Sequence, residues 1–316
     1  GAVKEAISKE ATEKLMNIYK NESNSDFRLR GLWALHVTSS LSENDLLAAL
    51  EDSDEYIRAW SIQLLGEERI ISSNALQKFY TMAVNDTSAV VRLYLAAVLQ
   101  RIPVNDRWEI LSALSQRSDD KNDHNIPKMI WFAMEPNVAI DVERGLKLGL
   151  ETKMPIIAEY IARRVLDANG MEQLLTAIQK PSANQKYLLN GLRNEIENRS
   201  DLKPSDNWEQ TYALLSSNES TKGIATEIAQ LFGSADAANQ LLTILEDTNS
   251  SLEDRQKSLT ALASRAWSGL KPKIAEFMDD PDLRIQAIRA ITHYKDIELG
   301  WDMFEKFEKF NEKEKL

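Results

Sequence analysis

The sequence contains no cysteine and only three histidines among its 316 residues. Without cysteine the chain can form no disulfide, thiolate nucleophile, Cys-ligated zinc site, iron–sulfur cluster or covalent c-type haem attachment. A transition-metal site in this chain would have to be rich in carboxylates. The absence of cysteine does not identify the compartment in which the protein works.

Glycine, proline and long apolar runs are also scarce. Only 11 Gly and 8 Pro occur, which disfavours an all-β fold with many tight turns. No run of 18 apolar residues occurs, so we expect no insertion into a membrane. The first ten residues, GAVKEAISKE, contain neither an initiator Met nor an apolar signal segment, and we expect any signal peptide to lie outside this sequence.

Basic residues are outnumbered by acidic ones, 38 to 49, giving a net charge of −11. This sign opposes non-specific binding to nucleic acid, and we expect no nucleic-acid partner. The common catalytic signatures are missing too: there is no G-x-S-x-G elbow, no G-x-G-x-x-G or GKS/GKT phosphate loop, and no HExxH or EF-hand loop. We therefore predict that this segment is not an enzyme and holds no cofactor.

The sequence does contain one helix-start pattern that recurs several times. EYIRAWSIQLLGE (55–67), SAVVRLYLAAVLQ (88–100) and PDLRIQAIRAITH (281–293) share an arginine just inside an apolar run of helical spacing, and FRLRGLWALHVTS (27–39) follows the same plan. Each of the first three runs follows a turn rich in Asp, Ser or Thr, which are residues that cap helices. Another amphipathic helix precedes each turn, at 43–51, 74–84 and 270–278.

The repeated unit is thus helix, short acidic turn, helix, and its period is that of helical repeats. Arg30, Arg58 and Arg92 are separated by 28 and 34 residues. Less regular helices are predicted between them and the C-terminus, at 106–117, 155–167, 172–180 and 226–233. We predict an all-α fold, an α-α superhelix of HEAT-like repeats, forming a single domain over 1–316, with any subdivision or change of curvature near 180–220. The tail from Trp301 is predicted either to be a terminal helix that packs Met303, Phe307 and Phe310 or to lead into a further domain.

The repeated arginines are interpreted as architecture rather than chemistry. This pattern resembles the HEAT-repeat class, in which an Asp lies in the inter-helix turn and an Arg lies early in the second helix. The resemblance assigns these positions to Asp54/Arg58, Asp86/Arg92 and Asp282/Arg284, with Arg30 as the first marker and Arg255 as a looser one, and stacked neighbours can then form a ladder of charge-assisted hydrogen bonds. The seven tryptophans occur about once per repeat, which favours packing in the core over a stacking platform.

One loop departs from the repeats and supplies the alternative hypothesis. The segment DDKNDHNIPKMIWFAMEP (119–136) gathers carboxylates and an imidazole, which can bind a divalent cation or move a proton. The candidate metal ligands are Asp119, Asp120, Asp123, His124 and Glu135. Their spacing fits no known ligand signature, so a solvated loop in which Asp123 caps a helix is preferred. His36 and His293 lie near helix ends, where a packing role is preferred as well.

The order of the motifs resembles a more particular family. RGLWAL (30–35), LLAALEDSDEYIRAWSIQLL (46–65), DTSAVVRLYLAAVLQRIP (86–103), DHNIPKMIWFAMEP (123–136) and IARRVLD (161–167) are similar to the helical-repeat region of large exported bacterial dehydrogenase-like proteins. In those proteins a sugar-dehydrogenase-type β-propeller precedes the repeats and a c-type cytochrome domain follows them. The resemblance covers about residues 25–170, and this chain has neither the propeller nor a C-x-x-C-H motif.

The resemblance implies a role as spacer and docking scaffold between redox domains, in the periplasm or otherwise exported from a bacterium. From the residues themselves we expect a scaffold that binds a protein or neighbouring domains of its own polypeptide, with a basic partner favoured by the negative charge. The alternatives are a ligand- or metal-binding module or cryptic hydrolase at the 119–135 loop, and a purely structural module.

Overall fold

The computed structural model of this chain describes residues 7–199, 202–307 and 310, without the side chains of 234–237. Over these ranges its regular structure consists of eighteen α-helices and three short 3-10 helices, with no strand. The predicted all-α fold of helix pairs packed as an α-α superhelix of HEAT-like repeats is therefore confirmed. Within the same ranges no helix combines the length and the apolarity needed to cross a membrane.

The chain divides into two compact units, Gly1–Gly191 and Leu192–Leu316. The division falls inside the range 180–220, where any subdivision was expected. That the whole chain acts as a single domain stays a prediction.

Unit 1 is a double layer of helices. Its helices are α1 (Lys9–Asn21), α2 (Ser25–Val37), α3 (Glu43–Ala49), α4 (Glu55–Leu65), α5 (Ser73–Asn85), α6 (Ala89–Leu99), α7 (Trp108–Ser115), α8 (Ile126–Ile140), α9 (Val142–Glu151), α10 (Pro155–Asp167), α11 (Met171–Ile178) and the first part of α12 (Gln185–Asn198). The even-numbered helices α2, α4, α6, α8 and α10 pack side by side in one layer, here called the B layer. The odd-numbered helices form the A layer, in which α5 packs on α7 and α9 on α11.

Helix starts in unit 1 are fixed by capping side chains. Asn24, Ser42, Asp54, Ser72 and Ser88 each accept a hydrogen bond from a backbone N–H of the first helical turn. These bonds satisfy amides that the helix itself leaves unpaired, so each short polar turn ends one helix and begins the next.

The apolar stripes then decide which face of each helix is buried. Ile57 and Ile62 of α4 are fully buried between the layers. Leu95 and Leu99 of α6 are fully buried in the same way. Large aliphatic side chains at three- and four-residue spacing pack each helix against both its partner and the next repeat.

Unit 2 is built from α12 onward by the same kind of packing. Its further helices are α13 (Trp208–Ser216), α14 (Lys222–Glu246), α15 (Leu252–Ser264), α16 (Ile274–Phe277), α17 (Arg284–Tyr294) and α18 (Ile297–Lys306). Leu259, Leu262, Ile274 and Leu283 are among the buried residues of its core.

Two of the three tail side chains predicted to pack on the last repeat do so: Met303 of the terminal helix α18, and Phe310, whose ring lies under the Arg284 guanidinium of α17. Met303 packs against the core of unit 2. Phe310 is 5% exposed and contacts the Phe307 ring, whereas Phe307 itself is exposed. Residues 308–309 and 311–316 lie outside the described residues.

Candidate binding surface

The arginines and aspartates of unit 1 form a ladder that joins successive repeats. Arg58 Nε and Nη2 donate to the two carboxylate oxygens of Asp86 at 2.9 and 3.0 Å, and its Nη1 donates to the carbonyl of Asp52 at 2.9 Å. Arg92 repeats the arrangement, with a bidentate pair to Asp120 and a bond to the Asp86 carbonyl at 2.9 Å. Each guanidinium therefore ties its own turn to the turn of the next repeat.

The register predicted from sequence is accordingly corrected at two positions. Asp54 does not pair with Arg58, because its carboxylate caps α4 by accepting from the N–H groups of Tyr56 and Ile57. Arg30 is not the first rung either: it is exposed, with its guanidinium over the Phe27 ring. Arg28 takes that place and forms a bidentate pair with Asp52. We call Arg28–Asp52, Arg58–Asp86 and Arg92–Asp120 the charged ladder.

The ladder continues beyond residue 150 with neutral side chains that sequence analysis missed. Thr152 occupies the turn before α10, and its hydroxyl donates to the Ser115 carbonyl of the preceding repeat at 3.1 Å. One repeat later, Asn184 Nδ2 donates to the carbonyls of Gly149 and Thr152 at 3.0 and 2.6 Å. Both side chains are almost fully buried. The Asp–Arg signature therefore fades after residue 140 while the links between repeats persist.

Unit 2 contains one rung of the same kind. Arg255 donates to the carbonyl of Leu245 at 2.9 Å and to the Asp280 carboxylate at 3.3 Å. Arg284 donates to the carbonyls of Met278 and Asp279, and the Asp282 carbonyl accepts from Gln256. The described hydrogen bonds do not bring Asp282 and Arg284 together as a rung.

The five candidate metal ligands are mostly occupied by structural contacts. Asp120 is held by Arg92, Asp123 accepts from the N–H groups of Asn125 and Ile126 at 2.8 Å, and Glu135 pairs with Arg164. Asp119 and His124 are exposed. The hydrogen bonds from the Ile126 and Asn125 amides lower the pKa of Asp123, as expected for a helix cap. No group of three potential ligands converges among the described residues.

The two other histidines also lie at helix ends. His36, in the last turn of α2, contacts the carboxylate of Glu67 just beyond α4. His293, in the last turn of α17, is exposed.

The outward face of the B layer carries an apolar depression, which we call the aromatic groove. It is an open space of about 400 Å³ over α6, with walls from α4 and from the start of α8. The groove is lined by Trp60, Gln63, Leu93, Tyr94, Ala97, Asn125 and Met129.

Aromatic rings form one side of this groove. The Trp60 and Tyr94 rings lie 6.2 Å apart with a tilt of 55°, and Trp60 packs edge-on against Trp33 at 4.8 Å. One helical turn away on the same face, Tyr56 is 51% exposed and Phe132 is 53% exposed. Tryptophan, tyrosine and methionine are the side chains that protein interfaces favour, so this face is suited to docking.

The groove also presents polar groups that are free to bind a ligand. The Gln63 carboxamide oxygen faces the Arg101 guanidinium at 3.1 Å, which leaves its NH₂ group to donate. The Asn125 side chain does not cap α8. The Trp60 indole N–H and the Tyr94 hydroxyl have no partner among the described residues.

Carboxylates slightly outnumber basic side chains at the edge at which the B-layer helices begin. The ladder aspartates are paired with their arginines. Asp26, Asp54, Glu55, Asp119 and Asp123 form no direct ion pair there, although Glu55 interacts electrostatically with Arg58, and Asp119 and Asp123 with Arg92. The basic side chains at this edge are Arg30, Arg117, Lys121 and Lys128, and Arg117 is bound to the carbonyls of Val84 and Asp86. The aromatic groove thus adjoins a surface with a small excess of carboxylates, which we call the acidic edge.

The expected core role of the tryptophans is correct for some and wrong for others. Trp108 and Trp208 are buried, and Trp60 packs against the core of the first helices as well as lining the groove, whereas Trp301 is 61% exposed. The sequence contained a signal for this shared face. Each of the three groove side chains lies six residues after the residue that caps its helix: Trp60 after Asp54, Tyr94 after Ser88 and Met129 after Asp123. Side chains at equivalent positions of stacked helices line up on one face.

In comparisons with known proteins, the sequence matches no protein-family model and no curated protein.

Proposed function

We propose that this chain is a non-catalytic helical-repeat scaffold that docks a basic protein partner, or a basic neighbouring domain, through the aromatic groove. The observation that carries the proposal is the groove itself, a row of partly buried Trp, Tyr and Met side chains on stacked helices. Such side chains supply most of the binding energy at protein interfaces. The charged ladder supports the proposal because it fixes the spacing of α4, α6 and α8 that the groove requires.

The wider context of the proposal is a spacer between redox domains of an exported bacterial protein. Its support is the resemblance of residues 25–170 to the helical-repeat region of dehydrogenase-like proteins. The segment DHNIPKMIWFAMEP, which belongs to that resemblance, contains the first part of α8 and the residues before it, and gives the groove Asn125 and Met129. The encoding gene tests this context: a β-propeller upstream and a C-x-x-C-H motif downstream are expected, and an unrelated reading frame on both sides would contradict it.

The docking function is tested by selecting random peptides displayed on phage against the full chain. Enriched peptides are then titrated against Trp60→Ala/Tyr94→Ala and against Tyr80→Ala. Tyr80 is a matched control because it is an exposed aromatic residue of the A layer, where it lines a separate depression of about 570 Å³.

We expect the enriched peptides to be basic and to lose on the order of tenfold or more in affinity for the groove variant, with Tyr80→Ala unchanged. Their binding should also weaken as salt is raised, because opposite charges at exposed sites are screened. Peptides that bind the groove variant as tightly as the parent chain would overturn the proposal.

A further inference from the structure

The groove contains side-chain amides that a helical ligand would leave unused. A helix satisfies its own backbone groups, whereas an extended segment brings unpaired backbone N–H and C=O groups to the interface. The Gln63 NH₂ group on α4 and the Asn125 carboxamide before α8 lie on opposite walls and are free to pair with such groups. The groove therefore favours an extended backbone over a helix.

The free polar groups of the groove are mainly donors. Gln63 contributes NH₂, Trp60 its indole N–H, and Asn125 and Tyr94 each contribute a donor as well as an acceptor. A proline-rich backbone is rich in acceptors, because proline has a carbonyl but no N–H. Pyrrolidine rings also pack well on aromatic surfaces, and the polyproline II conformation is already ordered before it binds.

The charge of the surroundings selects basic residues in the same segment. The carboxylates of Asp54, Glu55 and Asp123 belong to the acidic edge, where the helices that wall the groove begin. Lysine or arginine side chains flanking the proline-rich stretch would reach this edge while the prolines cover Trp60 and Tyr94.

We infer that the aromatic groove binds an extended, proline-rich segment flanked by lysine or arginine. This inference rests on the proposed docking function and specifies its ligand. The ligand lies over α6, with its carbonyls accepting from the two walls and its basic residues against the acidic edge.

The phage selection described above separates this inference from the docking function. Among peptides whose binding depends on Trp60 and Tyr94, we expect proline and basic residues to be enriched together over the starting library. Groove-dependent basic peptides without proline would overturn the inference and leave the docking function standing. If no selected peptide depended on the groove, both would fail.

Synthetic variants of one groove-dependent peptide supply the second measurement, by titration calorimetry with the full chain. Replacing its prolines by alanine should weaken binding on the order of tenfold, and replacing its basic residues by glutamate should weaken it further. Equal affinity of the proline and alanine peptides would contradict the inference. Replacing Trp60 also removes its packing contact with Trp33, so a second groove variant is made at an exposed residue. Asn125→Lys removes a free side-chain amide and should repel the basic ligand without disturbing the fold.

Discussion

At the residue scale, the ladder contains its most buried charges, among the described residues, at Arg92 and Asp120. Each side chain is 4% exposed: the Asp120 carboxylate accepts from Arg92, and Arg92 also donates to the Asp86 carbonyl. The hydrogen bond with Asp120 raises the pKa of the Arg92 guanidinium. Such a pair positions two helices more than it stabilises them, yet the loss of one partner leaves the other charge buried and unpaired.

Arg92→Met should therefore lower the free energy of unfolding by about 3 kcal/mol in urea denaturation. The control is Lys78→Met, which removes an exposed pair with Glu51 and should change stability little. Arg92→Met/Asp120→Leu should recover much of the loss, because it removes both charges. Equal stability of Arg92→Met and Lys78→Met would contradict the buried rung.

Asp123 is the residue at which the metal hypothesis and the capping hypothesis differ most clearly. Its carboxylate accepts from two amides at the start of α8, and these bonds lower its pKa in the folded state. A carboxylate with a lowered folded pKa stabilises the protein above its unfolded pKa and loses that contribution as the pH falls through the folded value.

Asp123→Ala should cost about 1 kcal/mol of unfolding free energy near pH 7, the usual size for a lost cap. The difference from the parent chain should begin to shrink below about pH 4, the ordinary range for an aspartate, and continue to shrink as the pH falls further. Urea denaturation at several pH values measures both. If the loss of unfolding free energy caused by Asp123→Ala is unchanged near pH 2, the carboxylate does not act as a charged cap.

At the element scale, helices α10 and α12 approach closely where a glycine permits it. A Cβ atom at Gly191 of α12 would lie 2.5 Å from the carbonyl oxygen of Glu159 and 2.7 Å from Cβ of Ala162, both on α10. Since a backbone oxygen cannot rotate away, a larger residue there must push the two helices apart.

Gly191→Ala should lower the stability of unit 1 by about 1–3 kcal/mol. Gly300→Ala in α18 is the matched control, because a Cβ atom there meets nothing within 4 Å. That change should instead raise stability by up to about 1 kcal/mol, since alanine is the better helix former. Thermal melting of both variants tests the prediction, which fails if they shift the midpoint in the same direction.

Helix positions were largely predictable at this scale. The prediction of a helix at 155–167 coincides with α10, and that at 74–84 differs from α5 by one residue at each end. Apolar spacing and capping residues are local, so they identify faces and boundaries. The partner of Arg58 was not predictable in the same way, because Asp54 and Asp86 are both near it and only the stacking of repeats brings Asp86 within reach. The neutral links of Thr152 and Asn184 carry no charge pattern and were missed for the same reason.

The aromatic groove was hidden by a related ambiguity. Trp60 belongs to the apolar stripe of α4, and apolar spacing alone does not distinguish a core residue from one on an outward apolar face. The recurrence of Trp60, Tyr94 and Met129 at one position of successive repeats was the available signal.

At the scale of the whole molecule, the net charge of −11 is unevenly distributed. Unit 1 contains 22 Lys and Arg against 26 Asp and Glu, so the excess of acid in that unit is modest. The location of the charge therefore matters more than its total: the ladder arginines pair with the aspartates between repeats, while the acidic edge keeps carboxylates that form no direct ion pair. A partner attracted to this edge meets the aromatic groove beside it.

The most direct test of docking at the groove is a photo-crosslinking measurement with a selected basic peptide. Benzoylphenylalanine is placed in the full chain either at Gln63, in the groove, or at Gln77, on the exposed face of α5 in the A layer. A partner seated in the groove should form a covalent adduct from position 63 and none above background from position 77. An adduct that forms equally from both positions, or from position 77 alone, would contradict a groove-centred scaffold.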